Sequence, residues 1–252
     1  MPKAIFLDMD DTLIATNVLY ENAVAHLRGF MAHFGHPPEK VQDTFNRIDK
    51  DMYKLHGLSI ERMPSSFAAV LKDLAPEQAG ESNTAVVRGF ASSIFNTVAN
   101  VKPGVPEAIS QLAAEGYELH IITSGNDKVQ ADRFSHLPFR DKIKSLHVVP
   151  SKDKAVFETA LRKTGLRPDE ALMIGDSMKS DILPSTAAGM KAILIEPQPG
   201  VPGFFHAAQD NQPTLPEGAR LCHSLIEAAR TIIEDDRPAP TTRKAPGRNM
   251  SP

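Results

Sequence analysis

From Pro106 to Ile195 the signals for helix and strand alternate, and that alternation constrains the fold more than any other feature of this 252-residue chain. The stretch from Pro106 to Glu115 has helical spacing, with Ile109 and Leu112 on its apolar face and Gly116 as a stop. Glu118 to Thr123 is an isoleucine-rich strand. Asn126 to His136 reads as a helix, Leu146 to Val149 as a strand, and Asp153 to Thr164 as a helix closed by Gly165. Ala171 to Ile174 is a strand, Asp181 to Ala188 a helix closed by Gly189, and Lys191 to Ile195 a strand. Strands and helices that alternate through short turns require a parallel sheet with helices on both faces and right-handed crossovers. Far upstream, Ala4 to Leu7 is a continuous apolar run. It reads as a strand buried on both faces and belongs in the same sheet.

The intervening segment has a different period. Leu19, Ala23, Leu27, Phe30, Met31 and Phe34 recur at helical spacing, and Gly35, Pro37 and Pro38 end the pattern. Val41 to Leu55, Pro64 to Leu74 and Glu81 to Val98 read as further helices. No strand is predicted between Leu19 and Val98. The expected fold class is α/β: a Rossmann-like parallel sheet core, residues 1–15 and 100–236, with an all-helical cap, residues 16–99, inserted after the first strand. Toward the end, Pro197 to Pro216 is expected to be loop and Leu221 to Ile233 a helix. The composition of residues 237–252 cannot bury a core and predicts a disordered tail.

Composition narrows the function classes. Apolar residues make up 41% and charged residues 23%, and the net charge is −3, which gives no reason to expect nucleic acid or an acidic membrane as partner. The single cysteine, Cys222, rules out an internal disulfide and fits a reducing compartment. The N-terminal apolar run is too short for a signal peptide and meets Asp8. No stretch is long enough to cross a bilayer. A cytoplasmic location is expected.

In an open parallel sheet, ligands bind beyond the carboxyl ends of the strands. After the first strand come Asp8, Asp10 and Asp11. After the second come Thr123, Ser124, Gly125 and Asn126, and after the third Ser151, Lys152, Asp153 and Lys154. After the fourth come Gly175, Asp176, Ser177 and then Asp181. Carboxylates for a hard cation, hydroxyl and amide donors for an anion, and a lysine charge are the inventory for phosphoryl transfer with Mg2+.

The chain resembles the haloacid dehalogenase (HAD) superfamily of phosphohydrolases. That family's Asp-x-Asp-x-Thr motif is matched by Asp8, Asp10 and Thr12. Its strand-ending Ser or Thr is matched by Thr123, and its Gly-Asp-Ser/Thr with a following acid by Gly175, Asp176, Ser177 and Asp181. The lysine motif fits loosely. The common arrangement puts it six residues before the helix Phe, here Phe157, a count that lands on Ser151. Lys152 is preferred over Lys154 because it lies closest to the strand end. The helical insert resembles the family's cap of the first type.

The resemblance implies a Mg2+-dependent phosphatase acting on a small phosphorylated metabolite through an aspartyl-phosphate. Asp8 would be the nucleophile and Asp10 the acid and base, with Lys152 supporting the charge. Thr123 and the Ser124 amide, with Lys152, would bind the phosphoryl group. The metal would be held by Asp8, the Asp10 carbonyl, Asp176 and Asp181. Asp10 favours a phosphate ester over a haloacid, since a departing halide needs no proton. A phosphotransferase or mutase shares all four motifs, and a non-catalytic binding protein on the same scaffold is the alternative from another class. In the cap, Arg47, Lys50, Lys54 and Arg62 could meet an anionic substrate or stand on solvated helix faces. His33 and His36 end a helix, where histidines more often meet its C-terminal dipole than a metal.

Overall fold

A computed structural model describes residues 2–196 and 214–237 of the chain. Strand β1 (Ala4–Leu7) is followed by β2 (Ile14–Ala15) and four helices: α1 (Asn17–His33), α2 (Pro38–His56), α3 (Arg62–Leu74) and α4 (Glu81–Asn96). The chain then alternates: β3 (Asn100–Val101), α5 (Val105–Ala114), β4 (Glu118–Ser124), α6 (Asp127–Ser135), β5 (Ile143–Val149), α7 (Lys154–Thr164) and β6 (Ala171–Gly175). A single π turn, Met178–Ile182, leads into α8 (Leu183–Ala187), and β7 (Lys191–Ile195), β8 (Ala219–Cys222) and α9 (Leu225–Asp236) complete the described residues.

Six strands form one sheet in the order β5-β4-β1-β6-β7-β8, and every pairing in it is parallel. From β1 the chain fills one side of the sheet and then crosses to the other, so β1 stands at the point where the strand order reverses. Leu7 is in register with Ile121 of β4 and Ile174 of β6, so the residues that follow these strands emerge together at one edge. Strand alternation divides the apolar side chains. Ile5, Leu7, Ile121 and Ile174 pack with α5 and α9, whereas Phe6, Ile122 and Met173 pack with Phe157 of α7 and with Met178 and Ile182. Asp8 therefore follows Phe6 onto the α7 face, and Gly175 follows Met173 onto the same face.

Three of the connecting helices start on side-chain caps, which satisfy amides that no earlier turn can reach. Asn126 accepts from the amides of Lys128 and Val129 ahead of α6, Asp153 from Val156 ahead of α7, and Ser224 from Glu227 ahead of α9. α1 to α4 bury an apolar cluster of their own, including Leu27, Met31, Phe45, Phe67, Val87 and Ile94. The chain enters and leaves this bundle side by side, with Ile14 opposite Val101 and Ala15 opposite Asn100 in an antiparallel ribbon. Asp11 braces that junction. Its carboxylate accepts from the amides of Thr16 (3.0 Å) and Asn17 (2.8 Å) and from the Thr16 hydroxyl. Its own carbonyl accepts from Lys102. Asp11 holds φ at +63°, a left-handed conformation that Asp tolerates better than most residues.

The structure departs from the sequence reading in several elements. The third core strand begins at Ile143 rather than Leu146, and the helix expected from Asp181 is preceded by the π turn at Met178. Leu221 lies in strand β8, not in the last helix, which starts at Leu225. β8 is a four-residue edge strand with Arg220 and Leu221 exposed, so it lacks the apolar run that marks the inner strands. β2 and β3 are two residues each and carry no readable period. Most of the loop expected over 197–216, and the tail expected over 237–252 beyond Arg237, lie outside the described residues.

On the β5 side of the sheet a hydrogen-bond chain crosses two strands. His120 Nδ1 lies 2.7 Å from the Ser145 hydroxyl, which lies 2.8 Å from His147 Nε2, and the His120 ring stacks on Phe6 at 5.0 Å. Burial depresses both histidines below the usual 6.5. His147 lowers His120 further, against the opposing pull of Glu118, and Lys163 lowers His147. Below that value the unfolded chain binds more protons than the folded one, so stability is fully present above about pH 6.5 and falls as the pH drops beneath it. The melting temperature, followed from about pH 8 to pH 5, is expected to fall at the acid end. The His120→Gln variant should show a shallower fall. Parallel curves would show that the pair does not carry the effect.

Candidate active site

The residues after β1, β4, β5 and β6 converge at the switch point. Lys152 reaches Asp8 in a short hydrogen bond and Asp181 Oδ1 at 2.6 Å, and its side chain is 3% exposed. Carboxylate oxygens of Asp8, Asp176 and Asp181 lie within 4.8 Å of one another. Lys154, the other lysine considered, is exposed and 3.6 Å from Glu158 one turn along α7. Thr12 donates toward Asp176 Oδ1 at 3.4 Å. The Asp181 carboxylate is fixed by the Ser177 amide at 3.0 Å, and the Ser177 hydroxyl in turn accepts from the Ser180 amide.

Gly175 makes room for this arrangement. A Cβ placed there would stand 2.3 Å from Asp181 Oδ2 and 2.6 Å from Asp181 Cβ, closer than any side chain can sit. The glycine ending β6 and the acid of the π turn are therefore matched to each other.

The cluster is short of positive charge. Burial pushes Asp8 well above the usual carboxylate range; Lys152 opposes the shift, and Asp181 and Asp176 add to it. Burial likewise raises Asp181, against Lys152 and with Asp176. Burial alone would lower Lys152, but Asp181 and Asp8 outweigh it and hold the lysine charged. Asp8 and Asp181 thus share the Lys152 ammonium, and the partly buried Asp176 brings a third carboxylate to the group. The donor set is all oxygen, which suits a hard divalent cation such as Mg2+ rather than zinc or copper.

Asp10 is engaged elsewhere. Its two carboxylate oxygens accept from Arg133 Nη1 at 2.9 and 3.0 Å, and Oδ2 also accepts from Gln130 Nε2 at 2.7 Å. Gln130 further donates to the Thr123 hydroxyl (3.1 Å) and the Ser124 carbonyl (2.7 Å), so Thr123, Ser124 and Asp10 share one amide. Tyr20 of α1 feels both Arg133 and Asp10; burial pushes its phenol up to about 12, Arg133 opposing and Asp10 adding.

Sequence reasoning missed Gln130 and Arg133. They are the residues that α6 buries, three apart and so on one face of the helix. A helix with no apolar stripe that must still cover a sheet was the available signal.

Of the cap cations, Arg47 and Lys54 are exposed and paired with Asp73 and Asp51. Arg62 is buried, paired with Asp49, and lies 5.0 Å from the Tyr53 ring centre. His33 is exposed and His36 partly so.

A doubly wound parallel sheet with a lysine-bridged acid cluster at its switch point defines an α/β enzyme. The sequence profile described as haloacid dehalogenase-like hydrolase matches residues 5–195, and the chain belongs to that family. It is 30% identical over 196 residues to the glyceraldehyde 3-phosphate phosphatase of Pyrococcus furiosus, covering 76% of this chain and 79% of the relative. It is 23% identical to phosphoglycolate phosphatase 1 of Pseudomonas aeruginosa, covering 97% and 87%. Among solved structures, a haloacid dehalogenase-like family hydrolase from Xanthomonas campestris superposes with a TM-score of 0.76 at 20% identity, over 92% of this chain and 91% of that one. The HAD-hydrolase YfnB of Bacillus subtilis, bound to magnesium, superposes at 0.65 with 17% identity, over 92% and 98%. The protein is thus a hydrolase of the HAD type whose sequence relatives are phosphatases. No helix among the described residues is long and apolar enough to cross a membrane.

Proposed function

We propose that this protein is a cytoplasmic, Mg2+-dependent phosphatase that hydrolyses a small phosphate monoester through an aspartyl-phosphate on Asp8. The observation that carries the reading is the lysine between the buried Asp8 and Asp181, with the partly buried Asp176 completing a group of three acids. The substrates named for the relatives, glyceraldehyde 3-phosphate and phosphoglycolate, support a phosphorylated metabolite of two or three carbons.

In the first half-reaction an Asp8 oxygen attacks phosphorus, the bond from phosphorus to the ester oxygen breaks, and Asp10 gives that oxygen a proton. In the second, Asp10 takes a proton from water as the water oxygen attacks phosphorus, releasing phosphate and restoring Asp8. Lys152 holds Asp8 in place and balances charge on the phosphoryl group, and Thr123 with the Ser124 amide would donate to that group's oxygens. Asp8, Asp176, Asp181 and the Asp10 carbonyl would hold Mg2+, which supplies charge neutralisation to the phosphoryl oxygens when bound. Residues 16–99 would act as the cap over a core of residues 1–15 and 100–236, excluding bulk water.

Release of free phosphate, set against substrate consumed across a panel of phosphorylated metabolites, tests the reading. Equal amounts are expected. Transfer of the group to a sugar hydroxyl would make the protein a phosphotransferase, and no turnover of any ester would leave a binding protein.

The metal has its own test. A cation that binds only the folded chain stabilises it by about 2.7 kcal/mol at a hundred times its Kd, so Mg2+ is expected to raise the melting temperature. EDTA should abolish activity reversibly. Asp176→Ala should lose most of the Mg2+-induced shift, whereas His33→Ala and His36→Ala should keep it. A full shift in Asp176→Ala would put the metal elsewhere.

A further inference from the structure

We propose that Arg133, assisted by Gln130, is a positioning residue: it fixes the Asp10 carboxylate for proton transfer and ties it to the end of α4. This rests on the acid and base role given to Asp10 above. Nη1 of Arg133 reaches both Asp10 oxygens at 2.9 and 3.0 Å, while Nη2 points to the carbonyl of Ile94, in the last turn of α4, at 3.4 Å. One guanidinium therefore contacts the loop after β1 and the helical insert. Its side chain is 8% exposed while that of Asp10 is 25% exposed, so the acid keeps an open side and its back is held.

Gln130 completes the hold from one turn away on α6. Its amide nitrogen lies within hydrogen-bond distance of three acceptors, on Asp10, Thr123 and Ser124, which share its two hydrogens. Its carbonyl oxygen is buried without a partner among the described residues. Turning the amide over would set that oxygen against the Asp10 carboxylate, so the charge of Asp10 fixes which way it points. Because the Thr123 hydroxyl already accepts from Gln130, its own proton is left to donate. Gly125 permits the approach: a Cβ there would lie 3.0 Å from Gln130 Nε2, and the backbone holds φ at +146°. Gln130 thus sets Asp10 and Thr123 relative to each other through one amide nitrogen, and Arg133 fixes Asp10 from behind.

A buried ion pair that only supports the fold would depress every reaction alike. A positioning role for Asp10 would not, because proton donation matters most when the departing oxygen is a poor leaving group. The experiment compares kcat/KM, which reports steps through phosphoryl transfer to Asp8, for glycerol phosphate and for p-nitrophenyl phosphate with Mg2+. Arg133→Met, which keeps the stem and removes the donors, is expected to lose about a hundredfold on the alkyl ester, within the range of general-acid effects. Its loss on the aryl ester should be at least about tenfold smaller. Arg133→Lys, a single point charge without the fork, should show the same preference with a smaller loss, and it carries the test if the Met variant does not fold. Equal losses on the two esters, or no loss on either, would overturn the proposal. Asp10→Asn is measured in parallel. If it too fails to discriminate, the acid role of Asp10 falls and the proposal with it. If Asp10→Asn discriminates and the Arg133 variants do not, the proposal alone is wrong.

Discussion

Asp8→Asn is expected to lose about ten-thousandfold or more in kcat, the scale on which removal of a nucleophile acts. The amide cannot form the aspartyl ester, and two nearby acids are committed elsewhere: Asp10 is held by Arg133 and Gln130, and Asp181 by Lys152 and the Ser177 amide. Folding should survive. Asp8 is buried with its charge raised in energy by burial and by two neighbouring acids, so a neutral isostere removes repulsion at the cost of one lysine contact. The melting temperature of the metal-free variant should therefore equal or exceed that of the parent. Steady-state turnover of an aryl phosphate together with a thermal melt checks both halves. Near-parent turnover would remove Asp8 from the chemistry.

Gly175→Ala should also be strongly damaging, although residue 175 would touch no substrate. The added methyl would overlap the Asp181 side chain down to its Cβ. Rotation about χ1 cannot relieve a contact with Cβ, so the π turn over 178–182 must shift. Asp181 would then leave Lys152 and the Ser177 amide. Overpacking of this kind costs about 1–3 kcal/mol, and displacing an active-site group by about 1 Å can cost a hundredfold in rate. The variant is expected to fold with a lowered melting temperature, to lose about a hundredfold or more in kcat/KM, and to lose most of its stabilisation by Mg2+. Activity close to the parent would mean that the position of Asp181 is not critical.

Much of the fold was legible in the sequence because the inner strands are buried on both faces. Ala4–Leu7, Ala171–Gly175 and residues 192–195 present unbroken apolar runs, and the helices between them end at glycines that can adopt positive φ, such as Gly165 and Gly189. Acids at or soon after such strand ends are conspicuous, so the sequence groups Asp8, Asp10, Asp176 and Asp181, and proximity to the strand end singles out Lys152. The structure brings Asp8, Asp176 and Asp181 within 4.8 Å of one another and holds the Asp10 carboxylate on Arg133 instead. Other features depend on distance in space. Gln130 and Arg133 meet an acid more than a hundred positions upstream, and along the sequence they look like the solvated face of a helix. Gly175 reads as part of a motif, but only the Asp181 side chain lying over it shows why no larger residue fits. β8 is short and exposed at the sheet edge, where pairing with β7 rather than apolar content makes it a strand.

The steric course at phosphorus tests the double displacement on Asp8 most directly. A thiophosphate ester made chiral by oxygen isotopes would be hydrolysed by the protein with Mg2+ in isotopically labelled water, and the configuration of the released thiophosphate determined. Two successive in-line displacements, by Asp8 and then by water, predict overall retention. Inversion would mean that water attacks the ester directly, and would contradict an aspartyl-phosphate.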